Sequence, residues 1–262
     1  QNRKLLLPTG KPLSTAGMMI EDRTRTYTIA MERTVVPENF SFRMTDEEYR
    51  VLEKIKNSIP VWYLADHADF ALGIVTGNNK KFLSAEKTEH SEMVLKGTDI
   101  CKYHINPAKQ YLRFEPEQFQ QVAPLEIYRA PEKLLYRFIS NQLVVAYDDR
   151  QMLSLNSCNI VIPKIEGMQI KYILAILNSS VSQFVYQKEF HSIKVLRAHM
   201  EHIPIPRVGK AIQNEIIAMT EPLICGMGKE AAETCQKRLD GRIMDLFRLS
   251  AEEQWIIRHA LH

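Results

Sequence analysis

The chain has 262 residues and 45% apolar content, which suits one or two domains with a genuine core. Its 34 Lys/Arg against 31 Asp/Glu leave a net charge of only +3. No apolar run approaches the ~20 residues that span a bilayer, and no signal-peptide pattern opens the chain. Cys101, Cys158, Cys225 and Cys235 are too scattered for a disulfide framework or a zinc pattern. Reduced thiols and a cytoplasmic location are the expectation. The first residue is Gln1 rather than Met, so a segment of a longer protein is expected.

Charge is uneven along the chain. Residues 1–70 carry ten Lys/Arg and ten Asp/Glu, residues 71–210 eighteen against thirteen, and residues 211–262 six against eight. The positive excess in the middle leans toward an acidic partner.

In chain order, residues 18–36 alternate with Thr24, Thr26 and Thr28 against Tyr27, Ile29 and Met31, which predicts a strand or hairpin. "MTDEEYRVLEKIKNSIP" follows, with a capping box at Thr45 and Glu48. Tyr49, Leu52, Ile55 and Ile59 share one helical face, and Pro60 ends the helix. Residues 61–165 read as short strands and long loops, with strands expected over 70–76, 125–129, 142–147 and 158–162. Long loops on a compact scaffold commonly bind. The stretch 73–83, "GIVTGNNKKFL", places Asn78, Asn79, Lys80 and Lys81 between apolar anchors. It reads as a hairpin turn, or as a loop whose lysines meet phosphates and whose amides reach base edges. Residues 167–190 change to helical periodicity with a polar break at Asn178-Ser179-Ser180, giving two helices or one bent helix. Residues 201–208 are an extended boundary. Residues 210–262 are helical, and Ser250 with Glu253 caps the last helix.

Several kinds of chemistry are missing from the sequence. The ten glycines form no phosphate- or cofactor-binding cluster. Asn106-Pro107-Ala108 lacks the second proline and the aromatic of the amino-methyltransferase tetrapeptide. Asp99-Ile100-Cys101-Lys102 has nuclease-type residues without an upstream acidic partner. His199 and His202 have a spacing that can hold a metal on a helix, but a solvated or backbone-bonded pair is the reading taken, and no metal site is expected. Glu126 and Glu132 read as surface charge rather than as an acid–base pair.

Six ordered stretches carry a resemblance: "GIVTGNNKKFL" (73–83), "VLKGTDICKY" (94–103), "PLEIYRAPEKLLYRFIS" (124–140), "QLVVAYDDRQMLSLNS" (142–157), "YILAILNSSVSQFVYQ" (172–187) and "IKVLRAHMEHIPIP" (193–206). Together they resemble the C-terminal target-recognition, or specificity, domain of Taq-type adenine-N6 DNA methyltransferases and of type IIG restriction–modification enzymes. The tail 238–257 resembles the helical segment that ends many such proteins.

The resemblance implies an α+β fold, with an irregular, mostly antiparallel sheet bearing long loops and then a C-terminal helical segment. It implies three parts: residues 1–60 connecting to a catalytic domain in cis, 61–208 as the DNA target-recognition domain, and 209–262 as the helical end. The partner implied is double-stranded DNA. This fragment would be no enzyme and hold no cofactor, S-adenosylmethionine belonging to the parent's catalytic domain. The residues expected at DNA are Asn78, Asn79, Lys80, Lys81, Arg129, Lys133, Arg137, Arg150, Lys194 and Arg197, with no catalytic residue among them. Arg129, before Ala130-Pro131, is expected in an extended, exposed position. It suits bidentate contact with guanine, or pairing with Glu126 or Glu132. Asp148, Asp149 and Arg150 are expected on a tip, either reading bases or forming an ordinary turn. Lys194 and Arg197, with His191 and His199, can lie along a phosphate strand or form a solvated basic face. A different class of function is a protein-interaction module of a DNA modification or phage-defence complex, docking through the 210–262 helices.

Overall fold

The computed structural model describes residues 17–21, 26–30, 44–190 and 192–261. Strands β1 (Gly17–Glu21) and β2 (Thr26–Ala30) pair antiparallel, Met19 opposite Thr28, where the threonine alternation predicts a hairpin. Thr24, residues 31–36 and His191 lie outside the described residues. Helix α1 (Asp46–Asn57) starts at the expected capping box: Glu48 N donates to Thr45 Oγ1 (3.1 Å) and Thr45 N donates to Glu48 Oε2 (2.9 Å). Leu52 and Ile55 of its apolar face are buried, and Tyr49 and Ile59 pack on the same cluster.

The middle of the chain supplies β3 (Val61–Trp62), β4 (Ala68–Ala71), α2 (Asn79–Phe82), β5 (Leu83–Ser84), β6 (Glu92–Leu95), β7 (Tyr111–Leu112), α3 (Leu125–Tyr128), β8 (Lys133–Arg137), β9 (Val145–Asp148), β10 (Leu153–Ser154) and β11 (Cys158–Pro163). One sheet runs β4-β11-β8-β9, with every pairing antiparallel. A second runs β10-β6-β7-β5, with β10 and β6 parallel.

Period-two alternation in the first sheet separates two cores. Leu134 and Tyr136 of β8, Val145 and Tyr147 of β9 and Val161 of β11 face a large cluster shared with the helices. Leu135, Ala146, Cys158 and Ile160, next to them in sequence, face a smaller cluster shared with Val94, Leu95, Leu112 and Leu153 of the second sheet. A one-residue slip of register would exchange the two faces. The sheets approach closely: a Cβ on Gly73 would sit 2.1 Å from Leu155 O, and one on Gly97 2.4 Å from Ser157 O.

The helical part begins with α4 (Ile170–Asn178) and α5 (Ser180–Glu189), divided where the polar break predicts. Ser179 ends α4, and its Oγ accepts from Ser182 N (3.2 Å) to start α5. Each buried Leu or Ile of α4 stabilises the fold by roughly 1.5–3 kcal/mol. Asn178 docks α4 on the sheet edge: Val145 N donates to its Oδ1 (3.1 Å) and its Nδ2 donates to Val145 O (2.8 Å). After α6 (Arg197–Glu201), β12 (Ile205–Pro206) pairs with β3. Helices α7 (Lys210–Cys225), α8 (Lys229–Leu246) and α9 (Ala251–Ala260) close the chain, with the expected Ser250–Glu253 capping box on α9. The architecture is α+β. No helix among the described residues is long and apolar enough to cross a membrane.

The strand expected over 70–76 ends at Ala71 as β4, leaving only isolated bridges at Ile74 and Val75, and the one expected over 125–129 is not a strand. Residues 125–129 form the turn of helix α3, because Tyr128 must turn inward. Its ring is fully buried, and its hydroxyl donates to Leu72 O and accepts from Ala123 N, both at 3.2 Å.

Candidate nucleic-acid interface

The turn at 76–82 is a short helix rather than a hairpin. Asn78 caps it, accepting from Lys81 N at 3.2 Å, and Thr76 Oγ1 donates to Asn79 Oδ1 at 2.6 Å. Both amide oxygens are therefore used inside the turn, while Asn78 to Lys81 remain exposed. Gly77 takes the left-handed conformation (φ 76) that opens it. Lys81 Nζ lies 4.6 Å from the Phe82 ring centroid and 3.5 Å from Gln118 Oε1.

A groove of about 610 Å³ runs beside β4, lined by Phe70, Leu72, Gly73, Gln121, Pro124 and Arg197 among others. Arg197 stands at it with its guanidinium 5.2 Å from the Phe70 ring centroid, and its Nε donates to Glu201 at 2.6 Å. Gln121 pairs with Val75 through two backbone hydrogen bonds, and neighbouring Gln120 lies against Gly77. The 120–124 segment thus links the Arg197 groove to the lysine turn.

Arg129 and Arg150 form a second group. Arg129 is half-buried and caps α3, not extended and exposed. Its Nη2 donates to Glu92 at 2.6 Å and its Nη1 to Gln151 O at 2.7 Å, so its acidic partner is neither Glu126 nor Glu132. Arg150 is exposed on the 148–152 turn. Asp148 builds that turn from inside, accepting from Arg150 N and Met152 N, each at 2.9 Å. Gln151 sits in the left-handed region at φ 57.

Lys133 is a correction. It is fully buried, its ammonium 2.6 Å from the equally buried Asp148 carboxylate, and it donates to Tyr128 O at 2.6 Å. Burial lowers its pKa, which the Asp148 charge partly restores. A side chain with no exposed surface does not meet DNA. Lys133 instead ties the end of α3, next to Arg129, to the turn carrying Arg150. Asp148 likewise belongs beneath the tip rather than on it.

Arg137 is a second correction. It is half-buried, and its Nε and Nη2 donate to Gly97 O (2.9 Å) and Ile100 O (2.5 Å), tying the end of β8 to the turn that follows β6. Lys194 and Arg197 do not share a helical face, because α6 begins only at Arg197. Lys194 belongs to an isolated bridge with Ile139 and lies 5.9 Å over the Phe138 ring. The 120–124 segment thus stands between the turn carrying Asn78, Asn79, Lys80 and Lys81 and the groove at Arg197, while Arg129 meets the turn carrying Arg150 through Gln151 O.

The other candidate centres dissolve into local structure. Asp99 accepts from Lys96 N (2.8 Å), whereas Lys102 donates to Asn178 O (3.2 Å). Leu196 N donates to His199 Nδ1 (3.2 Å), and His202 Nδ1 contacts Ala198 O (2.6 Å). Glu132 holds the Tyr147 hydroxyl. Two sets of residues escaped the sequence reading. Glu92 supports Arg129 from 37 positions away, with nothing local to announce it. Gln118, Gln120 and Gln121 stand exposed beside the lysine turn, and the amide-rich "EQFQQ" in a proline-flanked loop was the available signal.

Residues 92–205 match the model of the TaqI-like C-terminal specificity domain. Over this segment the chain is similar to that family. No curated protein sequence matches the chain. Among solved structures, the type IIL restriction-modification enzyme MmeI in complex with DNA aligns at TM-score 0.52 and 10% identity, over 76% of this chain and 35% of MmeI. The HsdS subunit from Thermoanaerobacter tengcongensis aligns at TM-score 0.42 and 14% identity, over 82% of this chain and 50% of that one. The type IIG restriction endonuclease BpuSI aligns at TM-score 0.43 and 10% identity, over 78% and 33%. The chain spans about a third of the length of MmeI, and the MmeI alignment shows a shared fold.

Proposed function

We propose that this chain recognises a specific sequence in duplex DNA as the specificity part of a restriction–modification enzyme. The specificity-domain match over 92–205 carries the reading. The geometry supports it through two cationic groups presented from loops on a packed scaffold. Affinity comes from phosphates met by Lys80, Lys81, Arg197 and Lys194, with Asn78 and Asn79 at the same turn. Arg129 and Arg150 are the base readers, since an arginine held by Glu92 and the Gln151 carbonyl has few orientations left and can take guanine bidentately. The catalytic partner is a domain in cis that binds S-adenosylmethionine and methylates adenine N6, with or without a nuclease, in the cytoplasm where the chromosome lies.

Selection of the chain against a pool of random duplexes, at low and high salt, tests the reading. An enriched motif is expected, with affinity falling steeply as salt rises. Absence of any duplex affinity at low salt refutes DNA recognition. N6-methyladenine at the selected motif in the genome that encodes the chain tests the adenine-N6 part, and an unmethylated motif refutes that part alone.

A further inference from the structure

Amide side chains crowd the surface between the lysine turn and the Arg197 groove. An amide that reads adenine needs its oxygen and its NH2 together. Asn78 and Asn79 have given their oxygens to Lys81 N and Thr76 Oγ1. Gln118 donates to Glu115 Oε2 (2.7 Å) and accepts from Lys81 Nζ (3.5 Å). Gln120 lies over Gly77 and is not part of the groove wall. Gln121 differs from all four. It lines the groove, it is exposed, and neither end of its amide is hydrogen-bonded among the described residues.

The backbone beneath this free amide is held on every side. Val75 N donates to Gln121 O (2.8 Å) and Gln121 N donates to Val75 O (3.1 Å). Two residues earlier, the Phe119 ring stands edge-on to Phe82 (5.3 Å) and Phe114 (6.0 Å). Two residues later, Ala123 N donates to the Tyr128 hydroxyl (3.2 Å). Phe82 ends α2, so the same aromatic contact sets the Gln121 segment against Lys80 and Lys81. A free head on a fixed backbone gives up only its own rotamers on binding.

We propose that Gln121 is a specificity-determining residue that reads adenine in the major groove, its Nε2 donating to N7 and its Oε1 accepting from the N6 amino group. This rests on the DNA-recognition reading above and adds one base to it. Lys80 and Lys81 on one side and Arg197 on the other meet phosphates, which fix the register of the duplex. The groove wall at Gln121 then faces the base edges.

The test is duplex selection at one salt concentration with the wild-type 262-residue chain, Gln121→Ala, Gln121→Glu and Gln120→Ala. The wild type is expected to enrich a motif with an adenine that Gln121→Ala no longer demands. Discrimination against the other bases falls about 5–150-fold at that position alone, and the salt slope is unchanged. Gln121→Glu has lost the donor to N7, and its carboxylate moves the preference at that position toward cytosine, whose N4 amino group donates. Gln120→Ala keeps the wild-type motif. Should Gln121→Ala fail to fold, the near-isosteric Gln121→Glu carries the test alone. Four results overturn the proposal: a wild-type motif retained by both Gln121 variants, weakening that is equal for every duplex, relaxation at a position that is not adenine, or relaxation of the adenine by Gln120→Ala. A wild type that binds duplexes without enriching any motif refutes sequence recognition itself, and the adenine contact with it.

Discussion

The two cationic groups are built in opposite ways. The lysine turn is secured by its own neighbours: Asn78 caps Lys81 and Thr76 holds Asn79, all within six residues. The arginine pair is secured from below by a buried ion pair and from the side by Glu92, with partners 15 and 37 residues away. Local turns tolerate change, whereas long-range supports fix one orientation. This division suits a domain in which phosphate contacts position and base contacts specify. The first group needs charge in roughly the right place; the second needs an angle.

Breaking the buried pair has the largest expected effect. Asp148→Ala leaves the Lys133 ammonium fully buried and two turn amides without their acceptor. A loss of about 3–5 kcal/mol in denaturant unfolding is expected. The double variant Lys133→Met with Asp148→Asn removes both charges together and recovers most of that loss. A single-variant loss under about 1 kcal/mol would take the support out of the arginine group.

Arg129→Ala comes next and sharpens the comparison. Its pair with Glu92 is partly exposed, so it contributes little to stability, about 1 kcal/mol or less. The expected change is in discrimination: a loss of about 1–3 kcal/mol between the selected duplex and one altered at a single base pair. Unaltered discrimination with weaker binding throughout would move Arg129 to the phosphate group. Lys80→Glu with Lys81→Glu is the counterpart. Both lysines are exposed, so folding stability stays within about 0.5 kcal/mol. Affinity falls alike for every duplex, and the salt slope drops by at least about two. A change of preferred sequence would show that the turn reads bases as well.

Local signals were legible and distant ones were not. Both capping boxes, the polar break between α4 and α5, and the helical end follow from spacing within a few residues. The resemblance named the specificity-domain family whose model matches residues 92–205. What misled was "PEKLLYR", where Pro131 and Glu132 are exposed and Lys133 looks continuous with them. Its inward direction depends on β8 pairing with β9 so that Lys133 stands opposite Asp148, a register no local pattern states. Arg137 misled in the same way, because its carbonyl partners at Gly97 and Ile100 arrive from a turn some 40 residues earlier in the chain. A cation on a strand end can be a ligand contact or a brace, and only the partner across the fold decides which.

The smallest effect concerns pH at the base of the Arg197 groove. Arg197 begins α6, and the same helix is fastened by Leu196 N donating to His199 Nδ1 at 3.2 Å, with the His199 ring stacked 4.4 Å from Phe190. Burial lowers the His199 pKa, and nearby His202 lowers it further. The unfolded chain therefore takes up the proton first as pH falls below the ordinary histidine value of about 6.5, and stability drops through the window beneath it. Protonation also turns the Nδ1 acceptor into a donor facing the Leu196 amide. Acidification from pH 7 toward 5 should lower the melting temperature and raise hydrogen exchange at Leu196 and the first turn of α6, and His199→Gln should flatten both trends. The Arg129 group, supported without a histidine, should keep its exchange protection over the same range, so equal loosening at Gln151 and Met152 would erase the contrast between the two groups.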